Sequence, residues 1–431
     1  MTKLKQLVKK IVIALLWLET RLILLKYQPK IVGITGSVGK TSTKDAIAAG
    51  LAQVHQVRAS AKSYNSDIGI PLTVIGQLSA WGFWWGWLKV LTEGLFLVVF
   101  KNPYPAWLVI EVGADRPRDI VKVVRRIKFD AAAISHLPEL PVHVEFFGSA
   151  EEVRAEKLAL PRSLAESGLV VLNADDQYQM DARLKLKAHV ITYGLAAGEI
   201  RGENIRLTYD DGVPTGITFK LNYDGHVVPV KLNGVVGTHQ IYPALAAAAV
   251  SLKFGVNLFQ VAEALGGMVF PPGRLRLVPG INQSLILDDS YNSSPVALTA
   301  ALNTLAELKV TGRKIAVIGD MLELGEHTIE AHKAAGRQAA GIVDTLITVG
   351  VRSKFVAEGA KGKKLRANKI HHFDTALLAG EWLDKYLKKG DTVLVKGSQS
   401  IRLEKTVAEI MAEPDKKALL LCRQERQWQE R

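Results

Sequence analysis

The sequence predicts an α/β protein: a central domain with a parallel sheet and a small antiparallel layer, a Rossmann-like C-terminal α/β domain, and an amphipathic helix ahead of both. Three observations carry this. Short β-branched runs alternate with helical patterns along most of the chain, as in βαβ units. Residues 201–236 instead alternate polar and apolar residues between the turns YDDG and NYDG. Pro271-Pro272-Gly273 then separates two βα series. The 431 residues are 48% hydrophobic and 23% charged, enough apolar material for two or three cores and too much for a disordered chain. A single cysteine, Cys422, excludes an internal disulfide and a Cys-rich zinc site, which points to a reducing, cytoplasmic setting.

The first element is a basic helix. Residues 1–30 carry Lys3, Lys5, Lys9, Lys10, Arg21, Lys26 and Lys30 against Glu19 alone, within a chain of net charge +13. Positions 4, 7, 8, 11, 15, 18, 22 and 25 are apolar and share one helical side. The longest charge-free run, Ile11 to Leu18, is too short to span a bilayer, which takes roughly 20 residues. A helix lying in a membrane interface fits. The second unusual stretch, Trp81 to Phe100, holds Trp81, Trp84, Trp85 and Trp87, half of the eight tryptophans. Clustered tryptophan suits a headgroup boundary, and Lys89 and Glu93 argue against a span. The competing reading is that the two stretches pack on each other. Positive charge beside the first helix favours anionic lipid. No nucleic-acid motif accompanies the charge, so nucleic acid is not an expected partner.

Buried strands are expected at Lys30–Thr35, Trp107–Gly113, Ala131–Ser135, Leu169–Asn173 and His189–Gly194, with a long Ala-rich helix within Gly234–Gly255. The second series comprises SLILDDS, KIAVIGD, TLITVG and TVLVKGS. The expected organisation is therefore a helix over 1–29, a central domain over 30–271 with a Trp-rich insertion at 79–106, a C-terminal domain over 272–414, and a charged tail over 415–431.

The sharpest chemical signal is GITGSVGKTS, Gly33 to Ser42. It follows a strand and opens a helix near Thr41. Backbone N–H groups around Gly36, Ser37 and Gly39 can wrap phosphate oxygens, the helix N-terminus adds positive potential, and Lys40 can reach the β- and γ-phosphates. The Thr41 hydroxyl can ligate Mg²⁺, with Ser42 beside it. The loop is one residue tighter than the common pattern, because Ile34 stands where the first glycine belongs. Glu111 ends a strand, where open α/β sheets place ligand-facing groups. His143 follows another strand, and Lys157 lies in EEVRAEKLAL. Alone, the last two would be a solvated loop histidine and a solvated helix lysine; beside a phosphate loop they suggest a magnesium and phosphate site.

At this point the chain resembles a known family. ITGSVGKTSTKD, NSDIGIPLT, IEVGADRPRDI, HVEFFGSAEEVRAEK, LNADD, PPGRL, DDSYNSSP, VIGDMLELGE and VKGSQSIRLEK occur in the order found in Mur ligases. They look most like the branch that adds D-alanyl-D-alanine to a cell-wall precursor. The resemblance covers about residues 30–412. It implies an ATP-dependent amide ligase that makes an acyl phosphate from a cell-wall peptide carboxylate and lets an amino acid or D-alanyl-D-alanine capture it. It further implies that Lys40 and Thr41 hold phosphate and the first of two Mg²⁺ ions, and that Glu111 and His143 are metal ligands. Lys157 matches a carbamylated lysine, and Arg274 and Asp289 match nucleotide contacts from the second domain. Asn65, Asn292, Lys396 and Ser398 would lie near the substrates.

Two departures stand out. His239-Gln240-Ile241-Tyr242-Pro243 replaces the family's H-N-x-x-N, so the adenine-side asparagine is missing. Only 32 residues precede Gly33, too few for the family's separate uridine-nucleotide domain. The basic helix and the Trp-rich insertion are expected to serve instead, at the inner face of the cytoplasmic membrane. A Mur-type ligase for a lipid-linked or polymeric acceptor, and a non-catalytic nucleotide-binding membrane module, remain as alternatives.

Overall fold

The computed structural model describes residues 3–61, 63–80, 84–361 and 365–429. Trp81, part of the Trp-rich insertion, lies outside them. A nine-stranded sheet contains β1 (Lys30–Thr35), β2 (Val57–Ala59), β3 (Trp107–Glu111), β4 (Ala131–Ile134), β5 (Leu169–Asn173), β6 (His189–Gly194), β7 (Ile200–Asp210), β8 (Val213–Tyr223) and β9 (His226–Asn233). Its order is β2-β3-β1-β4-β5-β6-β7-β8-β9, parallel as far as β7 and antiparallel from β7 to β9. The continuous apolar runs of β1, β3, β4 and β5 are buried on both faces, as parallel strands covered by helices require.

The antiparallel strands do not form a separate layer. Tyr193 pairs with Ile200 and Gly194 with Arg201, so β7 extends the parallel sheet from its open edge. The helix Ile241–Lys253 packs across β5, β6 and β7. Its small side chains let it lie close to both halves: Ala246, Ala247, Ala248 and Ala249 are all fully buried.

A second, six-stranded sheet begins after the Pro-Pro-Gly turn. It comprises β10 (Arg276–Gly280), β11 (Ser284–Asp289), β12 (Lys314–Gly319), β13 (Thr345–Val349), β14 (Ile370–Phe373) and β15 (Thr392–Lys396), in the order β10-β11-β15-β12-β13-β14. The four expected strands are its centre. The two edges, β10 and β14, escape the sequence pattern for physical reasons. Pro279 removes a ladder donor from β10, which is tolerated only at an edge, and β14 is a four-residue strand with two histidines.

The N-terminal helix α1 (Lys3–Tyr27) packs against both α3 (Gly69–Ile75) and α4 (Trp84–Val99); between α1 and α3 in sequence, α2 (Lys40–Leu51) follows β1. Leu16, Trp17, Thr20 and Ile23 form the buried face of α1. At Gly94 on α4 a Cβ would come within 2.1 Å of Glu19 Oε2, so glycine permits the close crossing. Burial raises the Glu19 carboxyl to about 7. Lys26 Nζ donates to the carbonyls of Leu97, Val98 and Phe100 at 2.9, 2.9 and 2.6 Å, placing a cation on the negative end of α4. Tyr27 Oη donates to Leu97 O and stacks on Tyr104 at 4.5 Å.

The apolar positions that line up in the sequence face outward. Leu7, Val8, Ile11, Leu15, Leu18, Leu22 and Leu25 are exposed, as are Trp85, Leu88, Leu95, Phe96, Val99 and Phe100 around α4. The two helices therefore pack on each other through one pair of faces and leave a second apolar pair open. Among the described residues no helix is long and apolar enough to cross a membrane. Replacing Leu16 with Ala should cost about 2–5 kcal/mol in urea denaturation, through transfer and cavity terms. Leu18→Ala should stay within about 0.5 kcal/mol of the parent.

Candidate active site

The loop after β1 turns on two glycines. Gly36 has φ +133°, and a Cβ there would lie 2.1 Å from Ser135 Oγ. Gly39, at φ +86°, caps α2, which starts at Lys40, one residue before the expected Thr41. Backbone geometry at both points admits little but glycine. The loop faces a cavity of about 260 Å³ lined by Ser37, Gly39, Ser42, Asn173, Asp175 and Tyr242, among others. Two strand ends, one helix N-terminus and residues of the second domain thus converge on one space.

At the loop's far end Thr41 Oγ1 donates to Glu111 Oε2 at 2.9 Å and lies 3.1 Å from Ser63 Oγ. Asn65 Nδ2 reaches Glu111 Oε1 at 3.4 Å, so Glu111, buried at the end of β3, is held from two sides. Burial draws the Lys40 ammonium below the usual lysine range, opposed by Glu111. Lys157, unlike the half-buried Lys40, is fully buried; burial and then repulsion from Lys40 lower its pKa to about 7, against attraction from Asp115, Glu156 and Glu111. Its neighbour Glu156 accepts backbone N–H bonds from Arg118, Ile120 and Val121, which anchors the turn that carries Lys157.

The second domain contributes Arg274, whose Nη2 donates to Thr41 Oγ1 at 3.4 Å while its guanidinium stacks on Tyr291 at 4.1 Å. Tyr291 Oη in turn donates to Ser63 Oγ at 3.1 Å. Asp289 pairs with Lys396 at 2.7 Å, and Lys396 Nζ also donates to Asn292 O; all three line the loop's cavity. Ser398 is placed differently: its Oγ accepts from Leu322 N and its N–H donates to Asp320 O, away from that cavity's lining. His143 has left-handed φ of +69°. Its Nδ1 lies 2.5 Å from Glu323 Oε2, reaching across from the second domain, and its Nε2 lies 3.7 Å from Asp115. Thus Thr41 and Glu111 come together directly, whereas His143 engages Asp115 and Glu323. Among the described residues no cluster of three or more His, Cys, Asp or Glu could hold a metal by itself.

On the other side of the cavity, Gln240 Nε2 donates to Arg274 O at 3.0 Å, so the residue replacing the expected asparagine supports the second domain's arginine. Tyr242 Oη donates to Asp175 Oδ2, and Tyr242 and Asn173 both line the cavity. Burial lowers His239 to about 4, leaving it neutral near pH 7. Sequence reasoning did not single out Ser63, Tyr291, Asp175, Tyr242 or Glu323. Four of these sit inside quoted stretches (DDSYNSSP, LNADD, GDMLELGE and His239–Pro243), so position within a motif was the available signal; Ser63 had none.

Comparison with known proteins places this arrangement. Residues 96–251 match the Mur ligase middle domain, and residues 273–399 match the Mur ligase, glutamate ligase domain. The UDP-N-acetylmuramoyl-tripeptide–D-alanyl-D-alanine ligase of Escherichia coli strain K12 is 31% identical over 383 residues, 88% of this chain and 76% of the relative. The enzyme of that name from Bacillus subtilis strain 168 is 28% identical over 386 residues, 89% and 76%. In fold, the chain resembles MurF from Acinetobacter baumannii (TM-score 0.76, 23% identity, 92% of this chain and 80% of that one). It also resembles MurF ligase from Thermotoga maritima in complex with ADP (TM-score 0.73, 24% identity, 94% and 84%). With both domains matched in order around a phosphate loop that the second domain closes, the chain belongs to the Mur ligase family of ATP-dependent carbon–nitrogen ligases.

Proposed function

We propose that the chain joins D-alanyl-D-alanine to the peptide carboxylate of a cell-wall precursor through an acyl phosphate. The observation that carries this is the meeting of Thr41, Glu111 and Arg274 at one end of the phosphate loop, with Lys40 beside them. A carboxylate oxygen attacks the γ-phosphorus as the bond to ADP breaks. The amine nitrogen then attacks the acyl carbon, loses a proton, and phosphate leaves as the amide forms. Such chemistry asks the protein chiefly for positioning and charge neutralisation. The Gly36–Gly39 backbone and the start of α2 cradle the phosphates, Lys40 neutralises them, and Arg274 adds a second cation once the domains meet. Asn173 and Tyr242 form the base-side wall, and Asp289 and Lys396 border the phosphate loop's cavity from the second domain.

Mg²⁺ fits the donor chemistry at Thr41 and Glu111, a hydroxyl and a carboxylate already 2.9 Å apart, since this ion takes hard oxygen ligands. Bound there, it would neutralise phosphate charge. A second ion would be held by His143 and by Lys157 as its carbamate. Lys157 suits that modification, because burial keeps a large share of its amine neutral at pH 7 and only the neutral amine adds CO₂.

Purified protein given ATP, nucleotide-linked tripeptide and D-alanyl-D-alanine should yield the amide by mass spectrometry, and Lys40→Ala should lose it. Amide from a lipid-linked tripeptide alone would reassign the acyl carrier, and no amide from either would sink the reaction. With ¹³CO₂, nuclear magnetic resonance should show one protein carbamate that grows as pH rises through about 7 at fixed CO₂. Lys157→Ala should lack the signal and lose at least about a hundredfold in kcat; an unchanged signal in that variant would place the carbamate elsewhere.

The outward apolar faces of α1 and α4 support attachment to the inner face of the cytoplasmic membrane. Lys9, Lys10, Arg21, Lys89 and Lys101 are exposed on and beside the same two helices, complementary to anionic headgroups, each contributing about 1 kcal/mol near such a surface. Contiguous exposed apolar surface of this kind marks an interaction site. Flotation with phosphatidylglycerol-containing vesicles should recover the parent protein. Leu18→Glu combined with Leu95→Glu should cut recovery at least tenfold while ATP binding persists, and equal recovery would remove the membrane from the reading.

A further inference from the structure

Glu323 and Ser398 lie outside the phosphate-loop cavity, yet both belong to one rigid corner of the second domain. The loop after β12 is pinned on both sides of Glu323. Met321 N donates to His332 Nε2 at 3.0 Å and Leu322 N donates to Ser398 Oγ at 3.0 Å. The Met321 and Leu324 side chains are fully buried. Between these anchors Glu323 holds a left-handed φ of +62°. Residues with a side chain seldom adopt that backbone, and those that do gather at functional sites.

The loop that faces it belongs to the middle domain. His143, itself left-handed at φ +69°, starts the short turn Val144–Phe146, and Phe146 N donates to His143 O at 2.9 Å. The Arg116 guanidinium covers the Phe146 ring at 4.0 Å. The two loops come so near that a Cβ at Gly325 would lie 3.7 Å from Glu145 Cα. Across this contact Glu323 Oε2 lies 2.5 Å from His143 Nδ1. That nitrogen is buried and makes no aligned hydrogen bond among the described residues, so a small turn of the ring completes the pair. The other ring nitrogen, Nε2, lies 3.7 Å from Asp115 Oδ1, and the Asp115 carboxylate attracts both Lys40 and Lys157. His143 therefore has one nitrogen on the second domain and the other on the side of the buried lysines.

A neutral imidazole carries one N–H and one lone pair, and the partner of one nitrogen decides which atom carries each. A carboxylate on Nδ1–H leaves the lone pair on Nε2, raises its basicity and fixes the ring, as at metal-ligating histidines. We propose that Glu323 is a positioning residue for the ligase: it accepts the His143 Nδ1–H and aims the Nε2 lone pair at the second divalent ion. This rests on the reading above, in which His143 and Lys157 hold that ion. Glu323 is not itself a ligand in this scheme, since it faces the far nitrogen of the ring. Ring and carboxylate lie in different domains, so ion binding and the meeting of the domains favour each other by linkage. His332 and Ser398 act one step further back, by holding the loop that carries Glu323.

The test uses the full-length chain in bicarbonate buffer without nucleotide, with Mn²⁺ as the probe and electron paramagnetic resonance as the readout. His143→Ala should remove one class of bound Mn²⁺, which defines the ion in question. Glu323→Ala should weaken that ion at least about tenfold, and Glu323→Gln, which keeps an acceptor and loses the charge, about threefold. The Glu323 side chain is 41% exposed, so truncating it leaves the core intact. In the His143→Ala background Glu323→Ala should change Mn²⁺ binding no further, a non-additivity that a merely structural role does not produce. During turnover Glu323→Ala should raise the Mg²⁺ needed for half-maximal rate about tenfold and leave KM for ATP within about twofold. Parent-like Mn²⁺ affinity in Glu323→Ala, or an equal loss in the His143→Ala background, would overturn the positioning role. So would Mn²⁺ binding that ignores His143→Ala. Should the expected shifts appear in a protein that forms no amide, the reaction falls and the positioning role stands.

Discussion

The contact on which the working arrangement depends is the one between Arg274 and Thr41. It joins the domain that follows the Pro-Pro-Gly turn to the first turn of the phosphate-loop helix, 233 residues away in sequence. Three supports hold it: the Tyr291 ring beneath the guanidinium, the Tyr291 hydroxyl on Ser63, and Gln240 on the Arg274 carbonyl. A planar, permanently charged group stacked on an aromatic ring is pre-organised, so it loses less freedom when it meets phosphate. The two domains are thus latched at the place where charge develops in the reaction.

Electrostatic cost is concentrated at the same point. Lys157 is fully buried and Lys40 half-buried beside it, and the two ammonium groups repel each other, which neither a core nor a surface would favour. Such strain in like charges suits a site that receives anions: phosphate beside Lys40, and a carbamate on Lys157 that would replace a cation with an anion. Glu111 sits between these demands. It accepts from Thr41 and Asn65 and offers a buried carboxylate close to the loop's hydroxyl.

The α1–α4 pair answers a different constraint. An apolar helix must bury some surface, and α1 does so through Leu16, Trp17 and Ile23, with Lys26 spent on the carbonyls of α4. That leaves an outward stripe exposed among the described residues. The phosphate loop and the outward apolar stripe are therefore carried by separate elements. Substitutions on the outer stripe leave the phosphate loop untouched.

Much of this was legible in the amino-acid order. β1, β3, β4 and β5 are unbroken apolar runs because both their faces are covered, and the glycines at 36 and 39 announce a loop that no side chain could make. These are local signals, since strand and turn preferences act over a few residues. Other features were invisible because they arise between distant segments. The outward stripe of α1 could be identified, but which face meets α4 depends on Gly94 and the Leu97–Phe100 carbonyls. β7 could be recognised as a strand, yet its joining of the parallel sheet depends on an open edge at β6. Ser63 carries no motif at all, and it acquires meaning only when the second domain brings Tyr291 beside it. Sequence alone determined the elements and the phosphate chemistry, because those follow from near neighbours. The tertiary structure decided which charges meet, because Coulomb and hydrogen-bond energies depend on distances that only folding sets.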